Sequence, residues 1–110
     1  MQKNVQINED KFIQDLGTGS SLVNFDRKKE LIPATGDSPE HEVITAGEQY
    51  RINNPINYST VVDKVVKENY KDGADDAALR KGIIDGSDPD FIAFNAFVEL
   101  IKSKCRNEGI

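Results

Sequence analysis

Enzymatic chemistry needs nucleophiles, proton carriers or metal ligands, and this chain has few of the usual ones. His41 is its only histidine and Cys105 its only cysteine. Together they could make a thiolate–imidazole pair, but that chemistry needs an exposed thiol. Cys105 falls on the apolar side of a helical repeat, so it reads as a small buried hydrophobe. One histidine and one cysteine are too few for a zinc site. A single cysteine also rules out an intrachain disulfide. Carboxylates are more plentiful. Asp72, Asp75 and Asp76 cluster in KDGADD, and Asp85, Asp88 and Asp90 in DGSDPD. Neither run has the alternating ligand spacing and distant glutamate of a calcium loop. Aspartates just before a helix accept hydrogen bonds from its free first-turn amides, and that is the role read here. Gly17, Gly19 and Gly36 lack the lysine–serine pair of a phosphate loop. No residue is selected as catalytic, metal-binding or cofactor-binding, and a non-enzymatic protein is expected.

The longest and most apolar helix is expected over DPDFIAFNAFVELIKSKCRN, from Asp88 to Asn107. Asp88 caps it, Pro89 suits its first position, and Lys102, Lys104 and Arg106 lie near its negative end. At about 100° per residue, Phe91, Phe94, Phe97, Val98, Ile101 and Cys105 share one face. Ile92, Ala93, Ala96 and Leu100 lie on another side. A helix at the edge of a small monomer needs one apolar face. Two such faces mean one of two things. Either the helix is central and covered on both sides within the chain, or Ile92, Ala96 and Leu100 face another subunit.

Two further helices are expected before it. Valine doublets repeating every four residues make NYSTVVDKVVKENY a helix with Asn57 or Ser59 as its cap, broken at Lys71-Asp72-Gly73. Ala74 to Asp85 gives a weaker helix, with Ala78, Leu79, Gly82 and Ile83 on one side. Gly82 costs about 1 kcal/mol relative to alanine, which a close helix crossing would explain. A bundle of this size is marginal alone.

The first half is read differently. Residues 1–10, with Val5 and Ile7 alternating, fit a free arm or a short edge strand. NEDKFIQDLG fits a two-turn helix with Phe12, Ile13 and Leu16 on one side and Gly17 as its stop. Residues 17–40 carry loop signals and scattered apolar anchors, Phe25 among them. EVITAGEQYRIN reads as a hairpin turning at Ala46-Gly47, with Val43 opposite Tyr50 and Glu42 opposite Arg51. A single strand at Gln49–Asn53, pairing elsewhere, is the other reading.

The composition narrows the class. The chain has 110 residues, 37% hydrophobic and 30% charged, with a formal net charge of −5. That balance disfavours nucleic-acid backbones and anionic membrane surfaces as partners. No apolar run is long enough for a membrane span, and the N-terminus lacks a signal-like apolar core, so a soluble intracellular product is expected.

One pattern in the second half is familiar. It runs through Tyr58, Val61-Val62, Val65-Val66-Lys67, Tyr70, Ala77-Ala78-Leu79-Arg80, Asp90-Phe91, Phe94-Asn95-Ala96-Phe97 and Lys102. Residues 57–107 resemble a small helical module in uncharacterised structural proteins of phages and prophages of Bacteroides-type bacteria. The resemblance implies a virion-associated structural protein attached to the capsid, a head fibre or the tail, present in the host cytoplasm before assembly. It implies no catalytic residues.

The expected fold is α+β: an extended, partly β N-terminal region over residues 1–56, then a three-helix assembly module over residues 57–110. The expected function is a capsid- or head-fibre-associated adaptor with itself and other virion proteins as partners. Phe12, Ile13, Leu16 and Phe25 would dock it, and Ile92, Ala96 and Leu100 would assemble it. A small acidic protein that inhibits or regulates a host factor is the alternative.

Overall fold

The computed structural model describes all residues, 1–110, as α+β: a four-stranded antiparallel sheet followed by three helices. The strands are β1 (Gln2–Ile7), β2 (Ile13–Asp15), β3 (Ser20–Ile32) and β4 (His41–Asn53). The helices are α1 (Tyr58–Asn69), α2 (Ala74–Ile84) and α3 (Pro89–Asn107). The chain divides into two compact units, Met1–Asn54 and Pro55–Ile110.

The sheet runs in the order β1-β4-β3-β2. Strands β2, β3 and β4 follow one another by hairpins, while β1 lies across the sheet from β2, in Greek-key fashion. The connection between them, Asn8 to Phe12, has five residues. It must cover three strand spacings, roughly 14 Å. Five extended residues reach roughly 17 Å, whereas a helix rises only about 1.5 Å per residue. That corrects the helix expected over NEDKFIQDLG, because only an extended chain bridges the sheet. Strand β2 pairs Ile13 with Val23 and Asp15 with Ser21.

Side chains of β3 hold this crossing in place. The Asn24 side chain donates to the Lys11 carbonyl (3.0 Å) and accepts from Gln49 Nε2 (2.9 Å). Its backbone N–H donates to the Phe12 carbonyl (2.7 Å). Asn24 is fully buried, so each of these partners matters. Arg27 Nε meets Asp10 Oδ1 at 2.8 Å, and the guanidinium lies over the Phe12 ring. Phe12 then stacks edge-on against Phe25, and Phe25 against Tyr50. Ile7, Val23, Ala46 and Ile52 complete the core of this unit.

The loop expected over residues 17–40 is corrected too. Ser20 to Ile32 is a long strand paired along β4, from Ser20 opposite Asn53 to Ile32 opposite His41. Turns remain only at Gly17–Gly19, which joins β2 to β3, and at the tip with its Thr35–Ser38 bridge. The hairpin at Ala46-Gly47 is likewise absent. Strand β4 runs straight through, Val43 opposes Glu30 and Glu42 opposes Leu31. Gly47 has another use. Across the sheet it sits between Asn4 and Asp26, both with φ of 53°. The register is identical on both sides of this row: Phe25 faces Glu48 and Arg27 faces Ala46. No residue is inserted; the ladder is interrupted by two left-handed residues flanking a glycine. Asn and Asp tolerate that conformation better than most residues. A Cβ on Gly47 would stand 3.1 Å from Asp26 Cβ, so the missing side chain makes room for the turned backbone.

The helices form where local sequence dictates. Asn57 closes a capping box with Thr60, each side chain accepting from the other's backbone N–H at 3.0 Å. Asp88 accepts from Asp90 N (2.9 Å) and Phe91 N (3.3 Å). Val61 and Val65 of α1 and Phe94, Ile101 and Cys105 of α3 are buried, with the Tyr70 ring edge-on to Phe94. Asp75 and Ala78 are the buried positions of α2. Gly82 lies on the same arc, and the Phe91 ring covers it so closely that a Cβ there would overlap the ring. Ile83, roughly 100° further round, faces solvent, which corrects its expected place with Ala78 and Gly82.

Gly82→Ala should therefore destabilise the fold. The gain of about 1 kcal/mol in helix propensity is outweighed by about 1–3 kcal/mol of overpacking. A rise in the urea midpoint would show that Phe91 moves freely aside. Asp26→Val should lower the midpoint, because a β-branched residue is strained by at least about 1–2 kcal/mol in the left-handed region. Asp26→Gly should preserve the sheet, as read by its amide chemical shifts.

Candidate interaction surface

No cluster of three or more His, Cys, Asp or Glu side chains could hold a metal ion. The acidic turns have structural partners. Asp75 meets Lys67 Nζ at 2.6 Å and ties α2 to α1. Asp85 accepts from the Ser87 hydroxyl (2.7 Å) and backbone N–H (3.0 Å), shaping the turn into α3. Asp88 caps α3, and Asp90 pairs with Lys81 of α2. The Lys67 ammonium beside Asp75 holds that carboxyl below the ordinary aspartate range, and Asp75 in turn raises the Lys67 pKa. His41 opens β4 with Nδ1 3.1 Å from the Pro39 carbonyl, in the sheet unit. Cys105 is fully buried in the helical unit, and burial pushes its thiol pKa up. The thiol is shielded from solvent.

What remains is surface shape and polarity. The structure separates the residues expected to make contacts. Phe12 and Phe25 are buried in the sheet core, so they hold the unit together and are not free to dock it. Ile13 and Leu16 are half-buried on the β2 hairpin. Ile92, Ala96 and Leu100 are exposed, Ile92 at 53% and Leu100 at 52%. They form one ridge on α3, spaced four residues apart. That ridge lies opposite the stripe of Phe94, Ile101 and Cys105, by helical phase. Leaving apolar side chains of this size in water forfeits about 25 cal/mol for each Å² a partner would cover.

Two features of this surface escaped the sequence reading. Ile83 and Ile84 at the end of α2 are 84% and 87% exposed, the most open large apolar residues of the chain. Adjacent residues on a helix are only about 100° apart, so the sequence left open which way each points. The second feature is an open groove of about 800 Å³ within the helical unit. Val62 and Val66 of α1, Leu79 of α2, and Phe94 and Val98 of α3 give it apolar walls. Asp63, Glu99 and Lys102 stand at its polar margin. It depends on how three helices meet, so no local pattern announces it. No helix is long and apolar enough to cross a membrane.

Compared with protein families, curated proteins and solved structures, the chain matches none.

The Lys67–Asp75 pair has a readable pH dependence. The folded Asp75 pKa is depressed, so its contribution is present above the unfolded value, about 4, and fades as pH falls through the lower folded value. The raised Lys67 pKa contributes below its unfolded value and is lost as pH rises through the folded one. Asp75→Asn should lower the thermal midpoint at pH 7 and flatten the loss of stability below about pH 4. An unchanged acid limb in a melting series would remove Asp75 from the account.

Proposed function

We propose that this protein is a non-enzymatic virion structural protein, a capsid- or head-fibre-associated adaptor that assembles through its C-terminal helices. The observation that carries the reading is the exposed ridge of Ile92, Ala96 and Leu100 on the back of α3. A monomer that works alone has no reason to keep an apolar ridge on its longest helix, whereas copies that associate bury it. The acidic balance keeps many copies soluble before assembly. The resemblance of residues 57–107 to phage structural modules supplies the setting.

Docking to other virion proteins falls to the sheet unit. Its surface-accessible apolar groups include Ile13 and Leu16 on the β2 hairpin and Leu31, 61% exposed, toward the far end of β3. Lys28 and Lys29 lie nearby on β3, where charged side chains discourage indiscriminate strand pairing.

Two measurements test the reading. Mass spectrometry of purified particles from the source should find this chain at a fixed ratio to a capsid or fibre protein. Its absence from particles, together with capture of a single host protein, would favour the inhibitor reading instead. In solution, Leu100→Glu should weaken self-association at least about tenfold, about 1.4 kcal/mol, with the helical circular-dichroism signal unchanged. Loss of that signal would mean that Leu100 belongs to the core.

A further inference from the structure

We infer that the occupant of the α3 ridge is the same ridge of a second copy, crossing antiparallel with Ala96 on the two-fold axis. The inference rests on the assembly reading above and specifies its geometry. Ile92 and Leu100 stand four residues either side of Ala96. An antiparallel two-fold centred on Ala96 therefore sets Ile92 of each copy against Leu100 of the other. The small side chain at the centre lets the two backbones approach closely, and ridges of four-residue spacing are those that interlock in the commonest helix packing.

Charge selects the direction. Helix α3 begins with Asp88 and Asp90 and ends with Lys102, Lys104 and Arg106. Reflection of positions through Ala96 places Asp90 at the level of Lys102 and Asp88 at the level of Lys104. The acidic start of each helix thus lies beside the basic end of its partner, and the two macrodipoles oppose. A parallel pair would set aspartates beside aspartates and lysines beside lysines, with the dipoles aligned. Asp90 already pairs with Lys81, and Lys102 with Glu99, within the same chain, so the attraction across the dimer is one of fields. Raising the salt concentration should loosen the dimer several-fold.

Cysteine cross-linking of the full chain decides the register. The wild type, whose one cysteine is buried, serves as the blank. Ala96→Cys should form a disulfide-linked dimer under mild oxidation, since a disulfide needs Cα atoms about 4.4–6.8 Å apart. Ile92→Cys and Leu100→Cys should each stay monomeric on a denaturing gel when oxidised alone. Mixed, they should give a cross-linked heterodimer, identified by differently tagged chains. Self-linked dimers of Ile92→Cys and of Leu100→Cys, without gain on mixing, would establish a parallel pair and overturn the inference while leaving the assembly reading intact. No cross-link at any of the three positions, in a protein that sediments as an oligomer, would move the interface off this ridge and overturn both the inference and the ridge as the seat of assembly. A wild-type chain that sediments as a monomer across a whole concentration series would end both readings. Circular dichroism of each variant confirms that it is folded.

Discussion

One constraint organises the helical unit: α3 is long and apolar on two sides, and its neighbours cover only one of them. Phe94, Ile101 and Cys105 are buried, with α1 and α2 packed against the helix. Ile92, Ala96 and Leu100 on the reverse are left in water. Two shorter helices, α1 and α2, cannot enclose a helix of 19 residues on every side. The unit compensates along the covered side with close fits. The Phe91 ring lies over Gly82, and Tyr70 meets Phe94 and Phe97. The partly buried Asp75–Lys67 pair joins α2 to α1. None of these contacts reaches the back of α3.

The sheet unit solves a different problem. Its hairpin strands β3 and β4 are long, and a long antiparallel ribbon has free edges that invite pairing with other chains. Strand β1 covers one side of β4, and the short β2 covers one end of β3. The connection between those outer strands is drawn across β3 by Asn24, Arg27 and the Phe12 ring. The Asn4–Gly47–Asp26 row then breaks the regularity of the three-strand ladder without shifting its register. A sheet built this way is compact at the Phe12–Phe25–Tyr50 end and open along the far part of the hairpin, where Leu31 stands in water.

The misread elements share a cause. NEDKFIQDLG has three apolar residues at helical spacing, yet the distance between β1 and β2 requires an extended chain. AGEQ looks like a turn, yet Gly47 is small because Asp26 of the neighbouring strand turns its backbone toward it. Residues 20–32 lack clean alternation because Ser20, Ser21 and Asn24 are buried polar groups with hydrogen-bond partners. Polar residues with satisfied partners are invisible to a reading based on hydrophobic pattern.

The sequence alone determined the three helices, the cap at Asp88 and the presence of two apolar sides on α3, and it narrowed the α1 cap to Asn57 or Ser59, of which the structure uses Asn57. Helix formation and capping are set by residues within a few positions of one another, so a linear reading captures them. Tertiary structure alone decided that Phe12 and Phe25 are core, that β4 runs unbroken through Gly47, and that a groove opens among the helices. Strand partners and burial depend on residues far apart in the chain, and a local pattern carries no record of which distant surface arrives. It also decided which apolar side of α3 is left uncovered, because only the packed neighbours determine where water remains.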